Sequence, residues 1–167
     1  MSGYHLQLAQ KYRQAGIVVD TNLLILLIVG TCDIKRITKF KRTNKYMEDD
    51  YELLARFVRF FDNIVTSPNI LTEACNLCQT LNAETDHALY RAFSQIIASL
   101  NECYVASVNV LGERAFFTLG ISGSVILDLC KQGRLLLTDD LPLYGYITSL
   151  GLDAVNFNHV RTLSWNS

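Results

Sequence analysis

Three short stretches carry acidic side chains at positions where chemistry is readily built. Ile17-Val18-Val19 is an apolar run that ends in Asp20, with a hydroxyl and an amide following in Thr21 and Asn22. Leu135-Leu136-Leu137-Thr138 ends in the same manner in Asp139 and Asp140. Glu73 lies in the second turn of a helix announced by Ser67 and Pro68, a cap followed by proline at the first helical position. If the apolar runs are parallel strands, all three positions fall on the C-terminal edge of one sheet, where open α/β sheets bind ligands. Clustered carboxylates repel one another and are costly to desolvate unless a cation joins them. A set of oxygen donors without His or Cys suits hard ions such as Mg²⁺ or Mn²⁺. Such ions activate water and stabilise charge on a phosphodiester during in-line displacement. A lone acid at a strand end or helix start more often serves as a cap, so convergence of the three is the distinguishing expectation.

The elements that must position these acids follow from the chain in order. Residues 4–14 have weak helical spacing, closed by Gly16. The strand before Asp20 leads into a helix over 23–30, with Asn22 able to cap it. Residues 35–45 hold six basic side chains around Phe40 and read as a loop or ragged helix. Glu48, Asp49 and Asp50 open the next helix, where first-turn acids suit the dipole. Ile64-Val65-Thr66 is a buried strand; the helix bearing Glu73 runs to about Leu81, and another spans 86–100. Residues 103–105 read as an irregular strand, and 120–123 as a turn before a helix that ends at Gly133. The strand 135–138, a helix over 141–150 and a last strand over 154–157 complete the chain. Nearly all-apolar strands alternating with helices argue for a three-layer α/β/α sandwich with a mainly parallel central sheet.

Composition narrows the class. The 167 residues fit one domain, half of them hydrophobic and 19% charged, which excludes a disordered chain. A net charge of −1 makes any polyanion-binding surface local rather than global. Five cysteines (Cys32, Cys75, Cys78, Cys103 and Cys130) sit mostly in apolar patterns and read as reduced thiols of a cytoplasmic protein. Cys75 and Cys78 form a lone CxxC without a second pair, which does not make a zinc site. The first fifteen residues carry no secretory pattern, and the apolar run over 23–29 is too short to span a bilayer.

The run Ile17-Val18-Val19-Asp20-Thr21-Asn22 resembles the opening motif of PIN domains, a family of metal-dependent ribonucleases that includes many toxins of toxin–antitoxin pairs. Ser67-Pro68-Asn69-Ile70-Leu71-Thr72-Glu73 is similar to the family's second motif, and Thr138-Asp139-Asp140-Leu141-Pro142-Leu143 to its late T-x-D-x-x-L motif. The resemblance covers about residues 16–157. It implies a PIN-like fold, one or two Mg²⁺ or Mn²⁺ ions and single-stranded RNA as substrate. Asp20, Glu73 and Asp140 would be the metal-holding catalytic acids, with Asp139 as an accessory. One motif departs: Gly123 stands where the family places a further aspartate, within Gly120-Ile121-Ser122-Gly123-Ser124. Asp128, five residues on, is the nearest acid available to replace it, about 7 Å along a helix axis; Ser122 or Ser124 could instead hold a metal-bound water.

On this reading Thr21, Asn22 and Thr138 orient the ligands. Lys35, Arg36, Lys39, Lys41, Arg42 and Lys45 would guide the RNA strand, with Phe40 available for stacking. The resemblance also brings an antitoxin protein and a homodimer as expected partners. The alternative is a PIN-like RNA-binding or protein-interaction module weakened by the missing acid. A phosphate-transferring enzyme with Asp20 as nucleophile would need a second aspartate two residues on, where Asn22 stands.

Overall fold

Short runs of branched and leucine residues, apolar on both sides, can be buried only inside a sheet covered on two faces. The computed structural model describes residues 3–78, 87–112 and 114–164 and arranges them in this way. Five strands, β1 (Ile17–Val19), β2 (Ile64–Thr66), β3 (Asn101–Glu102), β4 (Leu135–Thr138) and β5 (Ala154–Asn156), form one sheet in the order β3-β2-β1-β4-β5. Every neighbouring pair is parallel, with Val18 beside Val65 on one side and Leu136 on the other. From the central β1 the chain steps outward to β2 and β3, then returns to lay β4 and β5 on the other flank. β1 and β4 therefore bound the switch point of the sheet, the crevice favoured for ligands in open α/β folds.

The described helices are α1 (Gly3–Tyr12), α2 (Thr21–Cys32), α3 (Glu48–Val58), α4 (Pro68–Cys78), α5 (His87–Ala98), α6 (Arg114–Lys131), α7 (Leu141–Ser149) and α8 (Phe157–Ser164). α2 packs against α3, α4 and α5; α6 packs against α7, both touching β4, and α6 also meets α4. Right-handed crossovers put these two groups on opposite faces, giving an α/β/α sandwich. α2 is apolar all round, and Leu23 to Val29 are buried along its length. A helix of that kind belongs between a sheet and other helices.

Several boundaries differ from the sequence reading, each for a local reason. α2 begins at Thr21, and its cap is Asp20, whose carboxylate accepts from the Thr21 N–H at 2.6 Å, not Asn22. It continues through Gly30 to Cys32, because there the glycine accommodates a neighbour instead of stopping the helix. The Tyr51 ring lies so close that a Cβ on Gly30 would sit 2.2 Å from it. β3 is Asn101–Glu102, not 103–105; two exposed polar residues at a sheet edge carry no hydrophobic pattern. The turn at 120–123 is a break inside α6, where Gly120 takes φ 69° and ψ −169°, a conformation open almost only to glycine. Residues 35–45 form a short 3-10 turn at Ile34–Arg36 and further turns pinned by buried Ile37, Phe40 and Thr43. The last strand stops at Asn156, and Phe157 opens α8. The expected helix end near Leu81 and helix start at Asp86 lie outside the described residues.

No described helix is long and apolar enough to cross a membrane. The five cysteines are all thiols; burial pushes Cys78 up to about 11 and Cys130 up to about 12, which makes both unreactive. The Gly30–Tyr51 contact yields a stability prediction. Gly30→Ala, although favourable for helix propensity, should lower the free energy of unfolding by about 1–3 kcal/mol through overpacking. Urea titration of the two proteins reads this directly, and an unchanged or raised midpoint would contradict the packing described.

Candidate functional site

At the C-terminal edge of the sheet, next to the switch point, lies a cavity of about 340 Å³ whose wall includes Asp20, Glu73 and Asp140. The three expected acids therefore open onto one space, although they come from the first strand, the second crossover and the fourth strand. Thr21, Asn22 and Ser122 also line it, and Leu77, Leu119, Ile126 and Leu143 form an apolar wall.

Each acid is held by the main chain or a hydroxyl. Asp20 is buried and accepts from the Thr21 N–H through Oδ1 and from Thr138 Oγ1 through Oδ2 at 2.7 Å. Thr138 Oγ1 in turn accepts from the Asp140 N–H at 2.9 Å, so one hydroxyl ties the two strand-end acids together. Asp140 caps α7, accepting from the Leu143 N–H at 2.9 Å. Glu73, exposed on α4, accepts from Thr21 Oγ1 at 2.8 Å. Among the described residues no lysine or arginine pairs with any of the three. Burial pushes the Asp20 carboxyl up to about 6, against the bonds from Thr138 and Thr21 and with added repulsion from Asp139 and Asp140.

Asp139, expected as an accessory metal ligand, has partners of its own. Its side chain is 1% exposed and receives Lys45 Nζ, the Tyr46 hydroxyl and, at 3.3 Å, Asn22 Nδ2. Its charge is already met by a lysine, and it does not line the cavity. Tyr46 is fully buried; burial and the Asp139 carboxylate push its phenol well above the ordinary range. Asp128 lies away from the cavity, bonded to Gln132 Nε2 at 2.7 Å. Ser124 is buried within α6, its hydroxyl without a partner among the described residues and not among those lining the cavity.

Of the basic residues, Lys35, Arg36, Lys39, Lys41 and Arg42 do not line the cavity, and Lys45 approaches only its flank through Asp139. Phe40 is 3% exposed and cannot serve as a stacking platform. Its apolar ring was needed to anchor the turns, a demand that a charge run conceals. Leu119 and Tyr46 were not legible as site residues: one is an ordinary apolar side chain, the other an aromatic that simply follows the basic run.

Position 123 has no room for the missing acid. A Cβ on Gly123 would stand 2.5 Å from Leu119 Cβ, and Leu119 lines the cavity where a side chain from 123 would emerge. The donor chemistry still fits a hard cation, being oxygen-only and uncompensated. The acids ring the cavity rather than meeting at one point. Among the described residues no three acidic, histidine or cysteine groups are gathered closely enough to hold an ion as they stand.

Three helices begin around this cavity: α2 at Thr21, the second part of α6 just after Gly120, and α7 at Leu141. The partial positive charge of a helix N-terminus favours a nearby carboxylate by about 0.3–1 kcal/mol. Asp20 and Asp140, the caps of α2 and α7, take this support directly, with no described lysine or arginine beside them.

The chain matches no protein-family model, no curated protein and no solved structure.

The raised Asp20 carboxyl has a sign that can be tested in metal-free protein. A carboxyl at about 6 in the folded state and about 3.9 when unfolded holds its proton more tightly folded. Stability is then favoured below about pH 4 and falls as pH rises towards 6, by about 3 kcal/mol in all. Asp20→Asn removes this dependence. In EDTA its melting temperature should match wild type near pH 4 and exceed it by several degrees at pH 7.5, at about 2–4 °C per kcal/mol. A variant that is less stable than wild type at pH 7.5 would show that the buried charge is well compensated.

Proposed function

We propose that the protein is a metal-dependent ribonuclease of the PIN type that hydrolyses single-stranded RNA. The observation that carries this is the shared cavity of Asp20, Glu73 and Asp140, which no described lysine or arginine neutralises, with Asp20 held at about 6. Such a set gains most from a divalent cation, since the ion removes the repulsion and the desolvation cost together. Asp20, Glu73 and Asp140 would hold Mg²⁺ or Mn²⁺, and the ion would supply activation of water and stabilisation of phosphodiester charge.

The residues of the chain divide the remaining work. Thr138 fixes Asp20 relative to Asp140, and Thr21 fixes Glu73 relative to Asp20. Asn22, steadied by Asp139, lines the space beside them and offers an amide to a phosphate or ribose oxygen. The apolar wall of Leu77, Leu119, Ile126 and Leu143 restricts water to the acidic side. The same reading carries a toxin role, with an antitoxin protein and a homodimer as its partners.

A second reading has its own supporting observation. Because residue 123 is closed off by Leu119, the acid count stays at three, which favours a binding module of weak or no activity. Incubation of single-stranded RNA with wild type and Asp20→Asn in Mn²⁺ separates the two. The nuclease reading expects cleavage that falls by at least about a hundredfold in the variant and stops in EDTA. RNA bound by both proteins and cleaved by neither would establish the module instead.

A further inference from the structure

A second depression of about 390 Å³ adjoins the acidic cavity and shares Glu73 and Ser122 with it. Its floor is one face of α4: Asn69, Thr72, Glu73 and Asn76 recur at the helical spacing that brings side chains to one side. The opposite face of the same helix, Ile70, Ala74 and Cys78, is buried in the core. Pro68 and Ile121 complete the groove with apolar surface, and Ile121 is 40% exposed. A helix face that serves only solubility ordinarily carries charge; this one carries two carboxamides and a hydroxyl leading up to Glu73. No described lysine or arginine lines the groove, which sets it apart from a track for a phosphate backbone.

Carboxamides beside a flat apolar surface suit a nucleobase. A carboxamide presents a donor next to an acceptor and pairs with a base edge of the same kind, as Asn does with the N6/N7 edge of adenine. Single-stranded RNA exposes its base edges and faces to such contacts. We propose that the groove along Asn69, Thr72 and Asn76 is a base-reading subsite that selects the nucleotide next to the phosphodiester held at Asp20, Glu73 and Asp140. The inference rests on the reading of the acidic cavity as an RNA site. Asn69 also donates to Ser107 Oγ at 3.4 Å, a long contact that leaves its amide oxygen available to a base. Thr72 and Asn76 are exposed on α4.

The test uses fluorescein-labelled eight-nucleotide single-stranded RNAs that differ in base identity, with cleavage followed as kcat/KM in Mn²⁺. Binding is followed by fluorescence anisotropy in the Asp20→Asn background. Wild type should favour one base by about tenfold or more. Asn69→Leu/Asn76→Leu should reduce that ratio to within about twofold while leaving the disfavoured oligomers unchanged. Circular dichroism melting should show the double variant folded, and Asn76→Gln should retain part of the preference. A preference that survives the double substitution, or no preference in wild type, overturns the subsite. RNA that is bound but never cut defeats the nuclease reading alone, and the anisotropy ratios still decide the subsite. If no oligomer binds, both fall.

Discussion

Keeping a carboxylate ionised at 7% exposure with no described lysine or arginine beside it is costly, and Asp20 is in that position. What makes it tolerable is the Thr138 hydroxyl, delivered from the neighbouring strand because β1 and β4 are parallel partners in register, Val19 beside Leu137. The same hydroxyl accepts the Asp140 N–H, so the geometry of both acids is set by a single side chain at the strand end. Thr21 extends the arrangement to Glu73 across a distance of 52 residues in sequence. Remove the parallel pairing of β1 with β4 and the acids have no reason to face one another. The helix N-termini gathered at this edge supply the remaining electrostatic support.

Behind the acids stands a second polar assembly that gives the site its rigidity. Asp139 is neutralised by Lys45, bonded by Tyr46 and Asn22, and its main-chain oxygen accepts from Asn158 Nδ2 at 3.2 Å. Tyr46 lies beneath Arg161, which pairs with buried Asp50 through two nitrogens at 2.8 Å, and against the Phe157 ring. α8 thereby braces the loop before α3, and that loop braces the end of β4. Adjacent acids have thus been assigned to different tasks: Asp139 is satisfied and holds structure together, whereas Asp140 is left facing the cavity. A buried pair of the Arg161–Asp50 kind adds little net stability over an apolar pair, but losing one partner is expensive, so the brace is firm once formed.

Much of this was legible in residue patterns. The apolar runs over β1, β2 and β4, the Ser67-Pro68 helix start and the strand-end acids all announced themselves, because burial on both faces and capping leave direct marks on residue type. The marks fail where the cause lies elsewhere in the chain. Gly30 looked like a helix stop but makes room for Tyr51; Asn101–Glu102 forms a strand only because Thr66 and Val65 offer an edge to pair with. Within the basic run, Phe40 is core and Lys45 neutralises Asp139, two placements that the charge pattern hides.

Sequence alone therefore determined the class of fold, the placement of the three acids at one edge of the sheet and the absence of a carboxylate at position 123. These are properties of local periodicity, turn chemistry and composition, which depend on near neighbours in the chain. Tertiary structure decided which acid of the Asp139–Asp140 pair faces the cavity, that Leu119 closes position 123, and that the amide face of α4 continues the cavity. Each of these depends on which side chain from a distant element arrives alongside, and nothing in the residues themselves encodes the identity of that neighbour.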